Sequence, residues 1–135
     1  MTNRVFLDSS FWITYREESE ARQPEAQRLV AELFRQRAHF VTTLPVICEI
    51  HATFSRSLRK RALVLKDLFH NPVVTIEEVT PQDQKAALEL LQANQDKTYP
   101  LCDAISFVVM RRLRINRVAA VDRHFQQFGE FEVLG

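Results

Sequence analysis

Four short apolar or β-branched runs punctuate this chain, and between them lie segments with helical spacing. Val5–Leu7 and Val118–Val121 are continuously apolar, Phe40–Thr43 is rich in β-branched residues, and Val73–Val79 supplies another run. Strands whose runs do not alternate polar with apolar are buried on both faces. That demand is met by a mostly parallel sheet with helices on both sides, since parallel neighbours need crossover connections. The expectation is an α/β chain with a mostly parallel central sheet.

The intervening segments fit that frame. The spacing predicts short helices over Ser10–Tyr15 and His124–Phe128. Longer ones are expected over Pro24–Arg37, Pro45–Ser57, Leu58–Phe69, Pro81–Asn94 and Ala104–Leu113. Pro24, Pro45 and Pro81 each suit a first helical turn, where a missing N–H costs nothing. Thr80 with Asp83 three residues later reads as a capping box, with Asp in place of Glu or Gln. Phe131–Leu134 reads as a last strand. Both glycines lie in the last seven residues, and no linker or repeat interrupts the 135 residues, so a single domain over 1–135 is expected.

Hydrophobic residues make up 46% of the chain, ten of them Phe, which excludes a disordered protein. No apolar run approaches the roughly 20 residues that span a bilayer, and no signal-peptide pattern opens the chain. Cys48 and Cys102 both have apolar neighbours and read as small buried hydrophobes, not a disulfide framework. A cytoplasmic location without membrane attachment is expected. The net charge of +1 announces no polyanion partner. Basic residues nevertheless crowd two stretches, Arg56, Arg59, Lys60 and Arg61, and Arg111, Arg112, Arg114 and Arg117. They read either as solvated helix faces or as the rim of a polar site.

The carboxylates carry the chemistry. In open parallel sheets, ligands bind beyond the carboxyl ends of the strands. Asp8 follows the first strand and Asp122 the Val118–Val121 strand, at the same edge. Asp103 opens the most apolar helix, and Glu49 lies in an apolar stripe. Asp8 alone could cap the Ser10 helix, and Asp103 could answer its helix dipole. A buried Glu49 would need a partner or a cation. Taken together, converging carboxylates repel and raise one another's pKa, and a hard divalent cation, Mg²⁺ or Mn²⁺, is the natural compensation. Such ions activate a water and offset charge in phosphodiester cleavage. On this reading, the helix cap falls to Ser9 or Ser10.

LDSSFW near the start, CEI some forty residues on, LCDAISF around 103 and AVDRHF around 122 resemble the PIN-domain family across essentially the whole chain. The size is similar to single-domain VapC-type toxins of bacterial toxin–antitoxin pairs. The resemblance implies a three-layer α/β/α PIN-like fold and a Mg²⁺- or Mn²⁺-dependent endoribonuclease. It also implies a homodimer and a cognate antitoxin partner. It carries the four acids onto Asp8, Glu49, Asp103 and Asp122 as catalytic metal ligands, and Ser9 onto the hydroxyl residue that follows the first acid and supports it. Asp96 falls where many members have an additional acid, and is expected at most behind the ligands. One departure stands out: Ala120 occupies the place where many members carry Thr or Ser.

RNA phosphates are expected at Arg56, Arg59, Lys60, Arg61, Arg111, Arg112 and Arg123. His51 and His124 receive no catalytic role, because four carboxylates and a metal require no histidine base. Phe11, Trp12 and Tyr15 read either as core or as an exposed aromatic surface for a partner. Two other functions remain open. A phospho-acceptor receiver would show two adjacent acids after its first strand, and only Asp8 stands there. A PIN-like module that binds RNA or protein without cutting would have no need for four repelling acids.

Overall fold

The computed structural model describes residues 3–135. Among them, five strands form one sheet: β1 (Arg4–Leu7), β2 (His39–Thr43), β3 (Val74–Glu77), β4 (Arg117–Ala119) and β5 (Glu132–Leu134). The order is β3-β2-β1-β4-β5, and every pairing is parallel. Seven helices connect them: α1 (Ser9–Arg16), α2 (Gln23–Arg35), α3 (Leu44–Thr53), α4 (Leu58–Phe69), α5 (Pro81–Ala93), α6 (Leu101–Leu113) and α7 (His124–Phe128).

The strand order fixes where a ligand can sit. From β1 the chain moves outward through β2 to β3, then returns to lay β4 on the other side of β1. Right-handed crossovers therefore put α1–α4 on one face and α5–α7 on the other. The packing agrees: α1 meets α2 and α3, α3 meets α4, and α5 meets α6. This is the three-layer α/β/α arrangement. The direction of winding reverses between β1 and β4, and the crevice beyond their carboxyl ends is the switch point that such sheets use for ligands.

The core explains the apolar runs. Val5, Phe6, Leu7, Val118 and Ala119 are fully buried, as strands covered on both faces must be. Phe6, Phe11, Phe40, Phe107 and Phe125 are buried with them, each contributing roughly 1.5–3 kcal/mol of burial. Phe107 stacks on Phe128 at 4.1 Å and meets Phe125 and Tyr99 edge-on, which docks α7 against α6. Thr80 and Asp83 make the capping box at the start of α5 in both directions.

Two expectations change, on the α1 cap and the cysteines, and one open alternative is decided. The cap of α1 is Asp8 itself, whose carboxylate accepts the Ser10 N–H at 3.2 Å, and not Ser9 or Ser10. An Asx cap leaves the second carboxylate oxygen unused, so capping and ligation do not compete. Phe11 and Trp12 are core residues, 0% and 4% exposed, and offer no aromatic surface to a partner. Cys48 is exposed and Cys102 half-buried, and both are free thiols. Cys48 leaves the core because Val46, Ile47 and Ile50 set the buried stripe of α3, on the face turned away from it.

Candidate active site

Beyond the switch point, the chain brings its acids together. Asp8 is fully buried at the end of β1. Its Oδ2 accepts from the Ser10 hydroxyl at 2.5 Å and from the Ser10 N–H. Its Oδ1 is buried with no hydrogen-bond partner. Burial pushes its carboxyl up to about 7 against the pull of the Ser10 hydroxyl, and the charges of Asp103 and Asp122 add to the rise. Asp103, in the first turn of α6, is also pushed to about 7, first by burial and then by Asp122 and Glu49. Four carboxylates therefore act on one small volume.

Neighbours hold each one in place. The Ser10 hydroxyl accepts the N–H of Val121 at 2.9 Å and of Asp122 at 3.3 Å. One side chain thus ties the acid after β1 to the backbone after β4. Asp122, one-third exposed, accepts the His124 N–H at 2.9 Å. Ser9 donates to Glu49 Oε1 at 2.9 Å, so its support goes to Glu49 and not to Asp8. His124 Nδ1 lies 2.7 Å from Asp103 Oδ2 and 3.7 Å from Asp122 Oδ1. One ligand atom from each of Asp103, Asp122 and His124 falls within 4.8 Å of the others.

A hard divalent cation fits this donor set. Such ions take carboxylate oxygens, and the partnerless Asp8 Oδ1 is a buried acceptor of the kind that proteins seldom leave without a cation or a donor. Without a compensating positive charge, the burial of two mutually repelling carboxyls destabilises the fold.

The PIN domain family model matches residues 5–130. This chain is a PIN-domain protein. The same relationship is visible in whole relatives. The 23S rRNA-specific endonuclease VapC20 of Mycobacterium tuberculosis, represented from two strains, is 32% identical over 130 residues, covering 96% of this chain and 97% of the relative. The crystal structure of Mycobacterium tuberculosis VapC20, described as a sarcin–ricin loop cleaving toxin, superposes with a TM-score of 0.84. It is 28% identical, over 97% of this chain and 99% of that one.

Within this PIN domain, several expectations need correcting. Glu49 is exposed, not buried, because Val46, Ile47 and Ile50 define the inner face of α3. It still reaches the acidic cluster through Ser9 and Asp103. Asp96 is exposed and pairs with Lys97 at 3.5 Å, so it supports none of the acids. His124, assigned no role from the sequence, stands inside the cluster. Its position two residues after Asp122 was visible, but its approach to Asp103 depends on α7 docking against α6.

The basic stretches divide into paired and unpaired groups. Lys60 pairs with Glu17 and Glu18, and Arg59 with Glu18. Arg111 pairs with Glu130, and Arg112 bridges Asp83 and Glu77. These four hold acids of the fold and are poorly placed to hold phosphates. Arg61 donates to the Ser55 carbonyl, while Arg56 and Arg123 are exposed and outside any ion pair among the described residues. The exposed apolar surface lies elsewhere than expected. A groove of about 570 Å³, lined by Leu44, Ile76, Val79, Leu88 and Leu101 among others, runs along the same edge of the sheet as the acids. Leu44, Leu88 and Leu101 are each about half exposed.

Proposed function

We propose that this PIN-domain protein is an endoribonuclease toxin that hydrolyses a phosphodiester bond of structured RNA. Asp8, Asp103 and Asp122 hold a divalent cation, Mg²⁺ or Mn²⁺, and Glu49 completes the acidic rim. The observation that carries this reading is Asp8 Oδ1, a buried carboxylate oxygen without a donor, facing the charges of two further acids at a topological switch point. When bound there, the cation supplies Lewis-acid activation of water and offsets negative charge on the phosphodiester.

The chain's own residues have separable tasks. Ser10 orients Asp8 and fixes the distance between the ends of β1 and β4. Ser9 steadies the exposed Glu49 at the mouth. Arg123, beside Asp122, and Arg56 and Arg61 at the end of the α3–α4 hairpin are the cations with reach to spare for RNA phosphates. Substrate choice follows the relatives: VapC20 is named for 23S rRNA and for the sarcin–ricin loop, which supports a ribosomal RNA loop as the target here. A toxin of this class works on RNA in the cytoplasm with a cognate antitoxin. Among the described residues no helix is long and apolar enough to cross a membrane. The apolar groove beside the acids supports a protein partner, either the antitoxin or a second copy in a homodimer.

The test uses purified protein with 23S rRNA or intact ribosomes, in Mg²⁺, Mn²⁺ or chelator, with cleavage mapped by primer extension. Cleavage at one loop, lost in chelator and in Asp8→Asn and Asp103→Asn, is the expected result. Equal cleavage by the wild type and both variants would overturn the assignment.

A further inference from the structure

Carboxylates alone suffice for a Mg²⁺ site, and the imidazole of His124 is an addition to them. Its backbone and its ring are both engaged. Its backbone N–H is bound to Asp122. Its ring meets buried Tyr99 edge-on at 6.0 Å, and Tyr99 packs against Phe107 and Phe128. Its side chain is 20% exposed. The aromatic cluster thus fixes the direction of the ring, and that direction sends Nδ1 toward two carboxylates at once, 2.7 Å from Asp103 and 3.7 Å from Asp122.

The spread of the three donor atoms is close to that of one coordination sphere. They lie within 4.8 Å of one another. A divalent ion with bonds of about 2.1–2.2 Å has a coordination sphere roughly 4.3 Å across. The partnerless Asp8 Oδ1 belongs to a buried carboxyl whose ionisation Asp103 and Asp122 oppose, a separate sign that these acids lack a positive charge.

We propose that His124 Nδ1 is itself a ligand of the cation, making this a mixed imidazole–carboxylate site that prefers Mn²⁺ to Mg²⁺. The inference rests on the reading of Asp8, Asp103 and Asp122 as cation ligands. Its chemistry is direct. Mg²⁺ favours oxygen donors and retained waters, whereas imidazole nitrogen suits first-row transition ions, with affinity rising from Mn²⁺ towards Co²⁺ and Ni²⁺. A nitrogen donor therefore tilts selectivity without enlarging the site.

The test is spectroscopic and needs no RNA. Metal-free protein is loaded with Mn²⁺ and examined by pulsed electron paramagnetic resonance for nitrogen coupling. Mn²⁺ and Mg²⁺ affinities are then measured by calorimetry for the wild type, His124→Ala and His124→Asn. Asn keeps a short N–H donor near the Nδ1 position but offers no nitrogen lone pair. The expected result is nitrogen coupling in the wild type, lost in both variants, with the Mn²⁺-over-Mg²⁺ preference reduced about tenfold. Absence of nitrogen coupling in the wild type overturns the inference, as does a wild-type preference retained by His124→Asn, which would make His124 a positioning residue for Asp103. Asp8→Asn and Asp103→Asn identify a deeper failure: if both bind Mn²⁺ as tightly as the wild type, the cation does not sit at these acids and His124 cannot be its ligand.

Discussion

Ser10 donates its hydroxyl proton to Asp8 at 2.5 Å, and the same oxygen accepts the N–H groups that follow β4. A residue 111 positions away in sequence, Val121, is thereby fixed relative to the first acid. Ala120 offers no hydroxyl here, and the hydroxyl that meets the backbone after β4 is that of Ser10, from α1. Ser10→Ala removes both links while leaving the apolar core intact. RNA cleavage should fall about 10–100-fold, the usual cost of losing a residue that orients a metal ligand. Ser9→Ala should cost less, since Ser9 holds only the exposed Glu49. Single-turnover cleavage by the two variants checks the order, and a larger loss in Ser9→Ala would contradict it.

The acidic cluster makes stability depend on pH in an unusual direction. Asp8 and Asp103 each titrate near 7 in the folded chain and near 3.8 when unfolded, burial being the main cause. A raised carboxyl pKa penalises the ionised form. The penalty is absent below about pH 4, grows as pH rises and is complete above about pH 7. Without metal, the melting temperature should fall between about pH 5 and pH 7.5. Excess Mn²⁺ should remove that fall by binding the ionised folded state. Asp8→Asn should lessen the fall without metal, the part due to Asp103 remaining, and respond little to added metal. Thermal melts in chelator and in Mn²⁺ check this; a metal-free curve that rises over the same range would refute it.

Much of this architecture was readable from local pattern. The boundaries of α4, Leu58–Phe69, the Thr80–Asp83 capping box and the apolar strands beside Asp8 and Asp122 all follow from residues near one another in sequence. The parallel sheet then put Asp8 and Asp122 at one edge. What escaped was decided by packing between distant segments. Ser10 meets Val121 only once β1 and β4 pair, and His124 meets Asp103 only once α7 docks on α6. Glu49 misled because it lies three residues after Val46, a spacing compatible with the inner face, whereas the buried stripe runs through Val46, Ile47 and Ile50. Arg112 misled for the same reason as Lys60: charge in a cluster says nothing about which acids the fold has already supplied.

Arg112 is therefore predicted to matter for stability, not for RNA. Its guanidinium grips both oxygens of buried Asp83 at 2.9 and 3.0 Å and also reaches Glu77 and the Glu78 carbonyl. It ties α6 to the start of α5 and to the end of β3. The Arg112 pairing holds the Asp83 carboxyl below its ordinary range against the opposing effect of burial. Arg112→Ala would leave that carboxylate buried without its partner, at a cost of about 2–3 kcal/mol, moderated by the partial exposure of the guanidinium. Urea denaturation should show this loss, while cleavage per folded molecule stays at the wild-type level. A stable variant with weakened RNA binding would reverse the assignment.

Arg56 and Arg123 are predicted to do the opposite. Both are exposed and unpaired among the described residues, so their removal breaks no contact of the fold. Surface substitutions of this kind change stability by less than about 0.5 kcal/mol. Their predicted role is in phosphate contacts, each of which would release counterions on RNA binding. Arg123→Ala and Arg56→Ala should each weaken RNA binding and raise KM. Each should also reduce the slope of log affinity against log salt by about 1, with kcat nearly unchanged. Arg59→Ala provides the contrast: its guanidinium already pairs with Glu18 at 3.1 Å, and the salt slope should stay at the wild-type value. Filter binding of a non-cleaving Asp8→Asn background across a range of salt separates these cases. Equal slopes for all three substitutions would mean that RNA does not approach the acids across the side bearing Arg56 and Arg123.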